Sequence, residues 1–193
     1  MSAIGAGELE PEPEEPREHG IRNPAWLSTE ELERVRMRLP LLYVEAVPVR
    51  LDGAGVVTEV GMLLRANEVG EITRTIVSGR VLYGETIRDA LYRHLEKDLG
   101  PMAFPQLPPS PVPFTVAEYF PIPGVSAYHD DRQHAVSLAY VVPVTGTTDP
   151  RQDALELTWM SPAAAASDDV ASEMEGGRGA LVRAALASVG RLP

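Results

Sequence analysis

One stretch constrains this chain more than any other: residues 79–100, GRVLYGETIRDALYRHLEKDLG, with a glycine at each end. A short strand over Ile72–Val77 is expected to lead into it, broken at Ser78-Gly79, with Arg80-Val81-Leu82 continuing extended. Glu85 then opens a helix. Its apolar residues Ile87, Ala90, Leu91 and Leu95 recur at offsets of three and four, and Gly100-Pro101 closes it. Positions 94, 97 and 98 are also three and four residues apart, so His94, Lys97 and Asp98 share one face of that helix.

The remaining chain supplies strands around this unit. Ser28-Thr29-Glu30-Glu31 sets a hydroxyl cap before acidic first-turn residues, which complement the free N–H groups of a helix start. With Leu32, Val35, Met37 and Leu39 apolar, a helix is expected over 28–38, ended by Pro40. Leu41 to Val49 reads as a buried strand, Asp52 to Gly55 as a turn, and Val56 to Arg65 as a second strand. The proline-rich stretch from Pro101 to Pro113 reads as a loop. Strands are expected over Phe114–Pro121, His134–Val144 and Leu155–Met160, then a Ser161-Pro162 helix start and a closing helix over 180–189. Strands alternating with helices make an α/β domain over residues 23–193.

Charge excludes some partners. The net charge is −11, and six glutamates against Arg17 contribute −5 of it within residues 8–18. Interleaved prolines keep that segment from burying enough apolar area to fold, so residues 1–22 are expected to form a disordered acidic tail. The rest is still acidic, which argues against nucleic acid and anionic membranes as partners. No cysteine is present, which rules out disulfides, thiolate metal sites and cysteine nucleophiles. No apolar run approaches the roughly 20 residues of a membrane helix, no secretory signal is visible, and the expected compartment is the cytoplasm.

Residues 79–100 resemble the Nudix box, G-x5-E-x7-R-E-U-x-E-E-x-G-U with U aliphatic. Gly79, Glu85, Arg93, Leu95 and Gly100 match at the family's spacing, and Asp98 stands for the last glutamate of the box. His94 and Lys97 replace the other two glutamates and Pro101 the terminal aliphatic residue. The resemblance implies the Nudix fold, an α/β/α sandwich with a mixed β-sheet. Gly79 would let the backbone approach a ligand closely, and a buried Glu85–Arg93 ion pair would brace the loop against the helix. In the family, box glutamates hold divalent metal against a diphosphate. One carboxylate beside an ammonium cannot hold a cluster of magnesium ions, which want several hard oxygen ligands. The multi-metal mechanism is therefore disfavoured.

The chain looks most similar to GDP-mannose mannosyl hydrolases, Nudix relatives that lack most box glutamates and use a single metal. The likeness extends loosely over about residues 26–160, from Trp26-Leu27 through Trp159-Met160. It implies a Nudix-type hydrolase of a nucleoside diphosphate linked to another moiety, such as a sugar, working with one Mg2+ or Mn2+. Gly79 (through its carbonyl), Asp98 and Asp153 would hold the metal; Arg65, Arg80 and Arg93 would neutralise the diphosphate, and the N-terminal helix would contribute to a homodimer. Glu85, Arg93, Asp98 and His134 are the catalytic candidates. Ala154 stands where those enzymes place a histidine base, leaving His134 or His129 as substitutes. Arg74 would join Arg65 and Arg80 at one end of the sheet, where planar guanidinium forks suit phosphate oxygens. The competing expectation is a catalytically inactive Nudix-fold protein that binds a nucleotide or a protein partner.

Overall fold

A computed structural model describes residues 26–66, 70–150 and 154–191 of the chain. The acidic segment 1–22 and Asp153 lie outside the described residues.

Helix α1 (Thr29–Arg36) starts as its sequence predicts. Ser28 accepts from the Glu31 N–H, and the Glu31 side chain accepts in return from the Ser28 N–H, a complete capping box. None of its residues is buried. The chain then enters β1 (Leu41–Leu51), whose residues 44–49 are all buried. Such a continuous buried run marks a strand covered on both faces. Antiparallel β2 (Val57–Ala66) follows across the turn at 52–55, and then β3 (Ile72–Thr75) and β4 (Val77–Arg80). Helix α2 (Ile87–Leu99) is the one expected, but Glu85 does not open it. Thr86 is the cap, accepting from the Asp89 N–H. Gly100 ends the helix at φ 89°, where an added Cβ would lie 2.6 Å from the Asp149 carbonyl oxygen.

After the proline-rich loop come β5 (Thr115–Phe120), β6 (Tyr128–His129), β7 (Ala135–Pro143) and β8 (Ala154–Met160). The region around His129 is therefore an edge strand running parallel to β5, where the sequence suggests only a loop. Two short helices, α3 (Pro162–Ala165) and α4 (Asp168–Ser172), lead to α5 (Arg178–Ser188).

The strands form one mixed sheet in the order β3-β2-β1-β7-β5-β6, with β4 on β1 and β8 on β2. β1 runs parallel to β7 along one edge. Its other edge is shared, β4 pairing with residues 43–46 and β2 with residues 49–51. On one face, Val44, Ala46 and Val77 meet Leu91, Leu95 and Leu99 of α2. On the other, Val47, Val49 and Met62 meet Leu181, Val182 and Leu186 of α5. The result is an α/β/α sandwich, as expected. No helix among the described residues is long and apolar enough to cross a membrane.

Candidate functional site

The loop between β4 and α2 is braced by an ion pair. Arg93 donates from Nε and Nη2 to the two oxygens of Glu85, each at 2.7 Å, and Nη2 also reaches the Arg80 carbonyl at 2.9 Å. Glu85 also accepts from the Leu82 N–H at 2.9 Å. Burial raises the Glu85 carboxyl, but Arg93 and the Leu82 N–H outweigh it and hold the group below its ordinary range. This geometry uses Arg93 on the protein's own loop, with little left to offer a diphosphate.

Gly79 has a different neighbour from the one its motif suggests. The His94 imidazole lies directly over it, and a Cβ at position 79 would fall 1.9 Å from His94 Cε1. The glycine thus accommodates a side chain of α2. His94 is buried, and its Nε2 lies 3.0 Å from the Arg80 carbonyl, so that nitrogen donates. Burial lowers its pKa to about 4, which leaves a neutral ring.

Asp98, which stands for the last glutamate of the box, is wholly buried. One oxygen lies 2.6 Å from Arg65 Nη2 of β2 and 3.5 Å from Lys97 Nζ. Burial raises its pKa, and the two cations counter that without reversing it. Among the described residues a divalent cation does not fit here: neither Asp98 oxygen has a hydrogen-bond partner, but the one carboxylate present faces two positive charges, which would repel a third cation. Among the described residues no group of three or more His, Cys, Asp or Glu could hold a metal ion.

The other expected residues scatter. The Arg80 guanidinium lies among Tyr43, Arg36 and Arg93, and burial lowers its pKa. His134 stacks on Phe120, with ring centroids 4.4 Å apart, and does not line the main cleft. His129 does line it, with Nδ1 2.8 Å from the Phe120 carbonyl.

That cleft, about 800 Å³, opens at the end of the sheet between β2, β3 and the start of α5. Arg65, Arg74, Arg132 and Arg178 line it, together with Tyr43, Glu45, Ser137 and Gln133. Glu45 is buried on the central strand, where a charge needs partners. It has them: Tyr119 Oη donates to both its oxygens at 3.0 and 2.9 Å, and Arg178 Nε donates at 2.9 Å. Burial and Glu45 push the Tyr119 phenol above its ordinary range, so it remains a donor. Arg74 is held from behind by Glu173, through both a side-chain ion pair and a backbone hydrogen bond. Its Nη1, Arg65 Nε and Ser137 Oγ are buried without a hydrogen-bond partner among the described residues. The sequence reading named Arg65 and Arg74 but missed Glu45, Tyr119 and Arg178. A lone glutamate inside the apolar run 41–49 was the available signal, since a charge on a doubly covered strand must be paired.

Comparison with known proteins places this geometry. A family model described as a domain of unknown function, DUF4916, matches residues 22–191. No curated protein matches. A solved structure from Jonesia denitrificans DSM 20603 is described as a possible asymmetric diadenosine tetraphosphate (Ap4A) hydrolase. It is 60% identical, with 81% of this chain and 98% of that chain covered and a TM-score of 0.79. A Nudix hydrolase from Nitrosomonas europaea shares 15% identity over 79% of this chain and 91% of its own, with a TM-score of 0.55. The Nudix domain of Shewanella oneidensis NrtR, solved with ADP-ribose, shares 16% over 77% and 87%, with a TM-score of 0.54. At those identities the likeness is one of fold. The chain has the Nudix fold and belongs to the DUF4916 family.

Proposed function

We propose that this protein binds a nucleoside diphosphate derivative in the cleft at the end of the sheet. The observation that carries the reading is a pair of guanidinium groups, Arg65 on β2 and Arg74 on the neighbouring β3, both lining the cleft. Each holds a buried N–H with no partner among the described residues. The planar forks of the two guanidinium groups suit phosphate oxygens. Asp130 and Gln133 also line the cleft, held by Arg132, Arg36 and Tyr43.

Hydrolysis is a second reading, favoured by the 60% identical structure described as a possible Ap4A hydrolase. Under it the substrate is a nucleoside diphosphate linked to a second moiety, such as a nucleotide sugar. Asp153 would supply the further carboxylate for one Mg2+ or Mn2+, with His129 or His134 the candidate base. The surroundings of Asp98 weigh against that metal, so binding is the reading put first. The expected homodimer would use α1, which buries none of its residues and is followed by exposed Met37 and Leu39. Sedimentation at micromolar concentration tests that part: a monomer there sinks it.

The deciding experiment is calorimetric titration with ADP-ribose, Ap4A and a nucleotide-sugar panel, with product analysis on the same samples. Binding without turnover supports the first reading and metal-dependent turnover the second. Absence of binding across the panel removes both.

A further inference from the structure

The residues around Asp98 describe what has become of the cation position in this fold, an inference that rests on the ligand-binding reading above. Asp98 has 1% of its side chain exposed, so its charge cannot be solvated and needs a counter-charge within contact distance. Two cations supply it. Arg65 reaches across from β2 to within 2.6 Å, and Lys97 stands at 3.5 Å from the preceding position of α2. Arg65 also lines the cleft, whereas Lys97 does not. The same guanidinium therefore neutralises the buried acid on one side and faces the ligand space on the other.

A divalent cation placed against Asp98 would do both of those things. It would neutralise the acid and present positive charge to phosphate oxygens. A hard cation also wants several oxygen ligands, and the charged neighbours of Asp98 are an ammonium and a guanidinium. We propose that Arg65 is the resident counter-cation of this site: it takes the place on Asp98 that a divalent metal would need, and the protein holds its phosphorylated ligand without one. Arg65 is a specificity-determining residue in this sense, making ligand binding independent of a divalent metal.

The test compares wild type, Asp98→Asn, Arg65→Lys, Arg65→Met, Arg65→Met with Lys97→Met, and that pair with Asp98→Asn added. Thermal unfolding is followed in EDTA and in millimolar MnCl2. Wild type should show the same Tm in both, and ADP-ribose affinity should change by less than twofold between them. Removing the two cations leaves a buried carboxylate uncompensated, so the double variant should melt lower in EDTA and regain Tm in Mn2+. Adding Asp98→Asn should abolish that gain. Arg65→Lys, a milder change that keeps a cation, should fold and show no Mn2+ response.

Stabilisation of wild type by Mn2+ that disappears in Asp98→Asn alone overturns the proposal. So does a double variant, folded by circular dichroism, whose Tm ignores Mn2+. If neither variant carrying Arg65→Met folds, the wild-type, Asp98→Asn and Arg65→Lys arms still decide it. A failure of ADP-ribose to bind in either buffer counts against the ligand reading alone. Binding that needs Mn2+ counts against Arg65 as its substitute.

Discussion

Substituting alanine at Gly79 should test whether this glycine serves a side chain or a ligand. The added Cβ would lie 1.9 Å from His94 Cε1 and 2.3 Å from each ring nitrogen. Non-bonded carbons settle at about 3.5–4.0 Å, so the ring must retreat by roughly 2 Å. It has little room to do so, being 6% exposed and tied through Nε2 to the Arg80 carbonyl. Overpacking of this kind costs about 1–3 kcal/mol, and loss of the hydrogen bond adds about 1 kcal/mol. Gly79 is not among the positive-φ glycines, so alanine there returns about 0.4–1 kcal/mol through the unfolded chain. The net expectation is destabilisation by about 1–3.5 kcal/mol, or a Tm lowered by about 2–14 °C. His94→Ala alone should also destabilise, since it vacates a buried space and orphans a carbonyl. In the double variant the new methyl sits where the ring was. That protein should be more stable than the sum of the single losses by about 2 kcal/mol. Urea unfolding of the four proteins measures the coupling. Additivity within about 0.5 kcal/mol would refute the steric account and return Gly79 to a ligand-facing role.

Glu45→Gln should cost about 3–5 kcal/mol, because Arg178 would lose the buried carboxylate it bonds; a loss below about 1 kcal/mol by chemical denaturation contradicts the buried network. Stability should fall as pH drops from 6.5 towards about 4, since the unfolded chain protonates His94 in that window and the folded one does not. His94→Gln should flatten this part of the pH profile. Below the ordinary 4.5 of a glutamate a further loss should set in, because the depressed Glu85 pKa stabilises only while the group stays ionised; Arg93→Met should remove that part. Arg74→Ala should weaken ADP-ribose binding by roughly 10- to 100-fold, the worth of one charge-assisted contact, and an unchanged affinity by titration calorimetry would move the ligand elsewhere.

Much of the architecture was readable because its signals are local. The capping box at Ser28, the three-and-four spacing of Ile87 to Leu95 and the branched run at 41–49 each need only near neighbours to be interpreted. The Glu85–Arg93 brace was equally accessible, since strand, loop and helix are contiguous and the eight-residue separation fixes the reach. The helix boundary was misjudged by two residues. Glu85 and Thr86 both suit a helix start, and only the bond from the Leu82 N–H shows which one lies outside.

The candidate site was less accessible. Residue types at 94, 97 and 98 announced that a multi-metal centre was disfavoured, and that follows from charge alone. That Asp98 is neutralised by Arg65 depends on two residues 33 positions apart being brought to 2.6 Å, one on β2 and one on α2. Glu45, Tyr119 and Arg178 are separated by 74 and 133 positions, and no periodicity relates them. The reason is physical. Propensity and capping act over a helical turn or a strand pair, whereas a buried charge takes whichever partner the packing of distant elements delivers. The amino-acid order by itself determined most of the elements, the brace and the Nudix scaffold. Tertiary packing alone decided which cation faces Asp98 and which groups meet in the cleft.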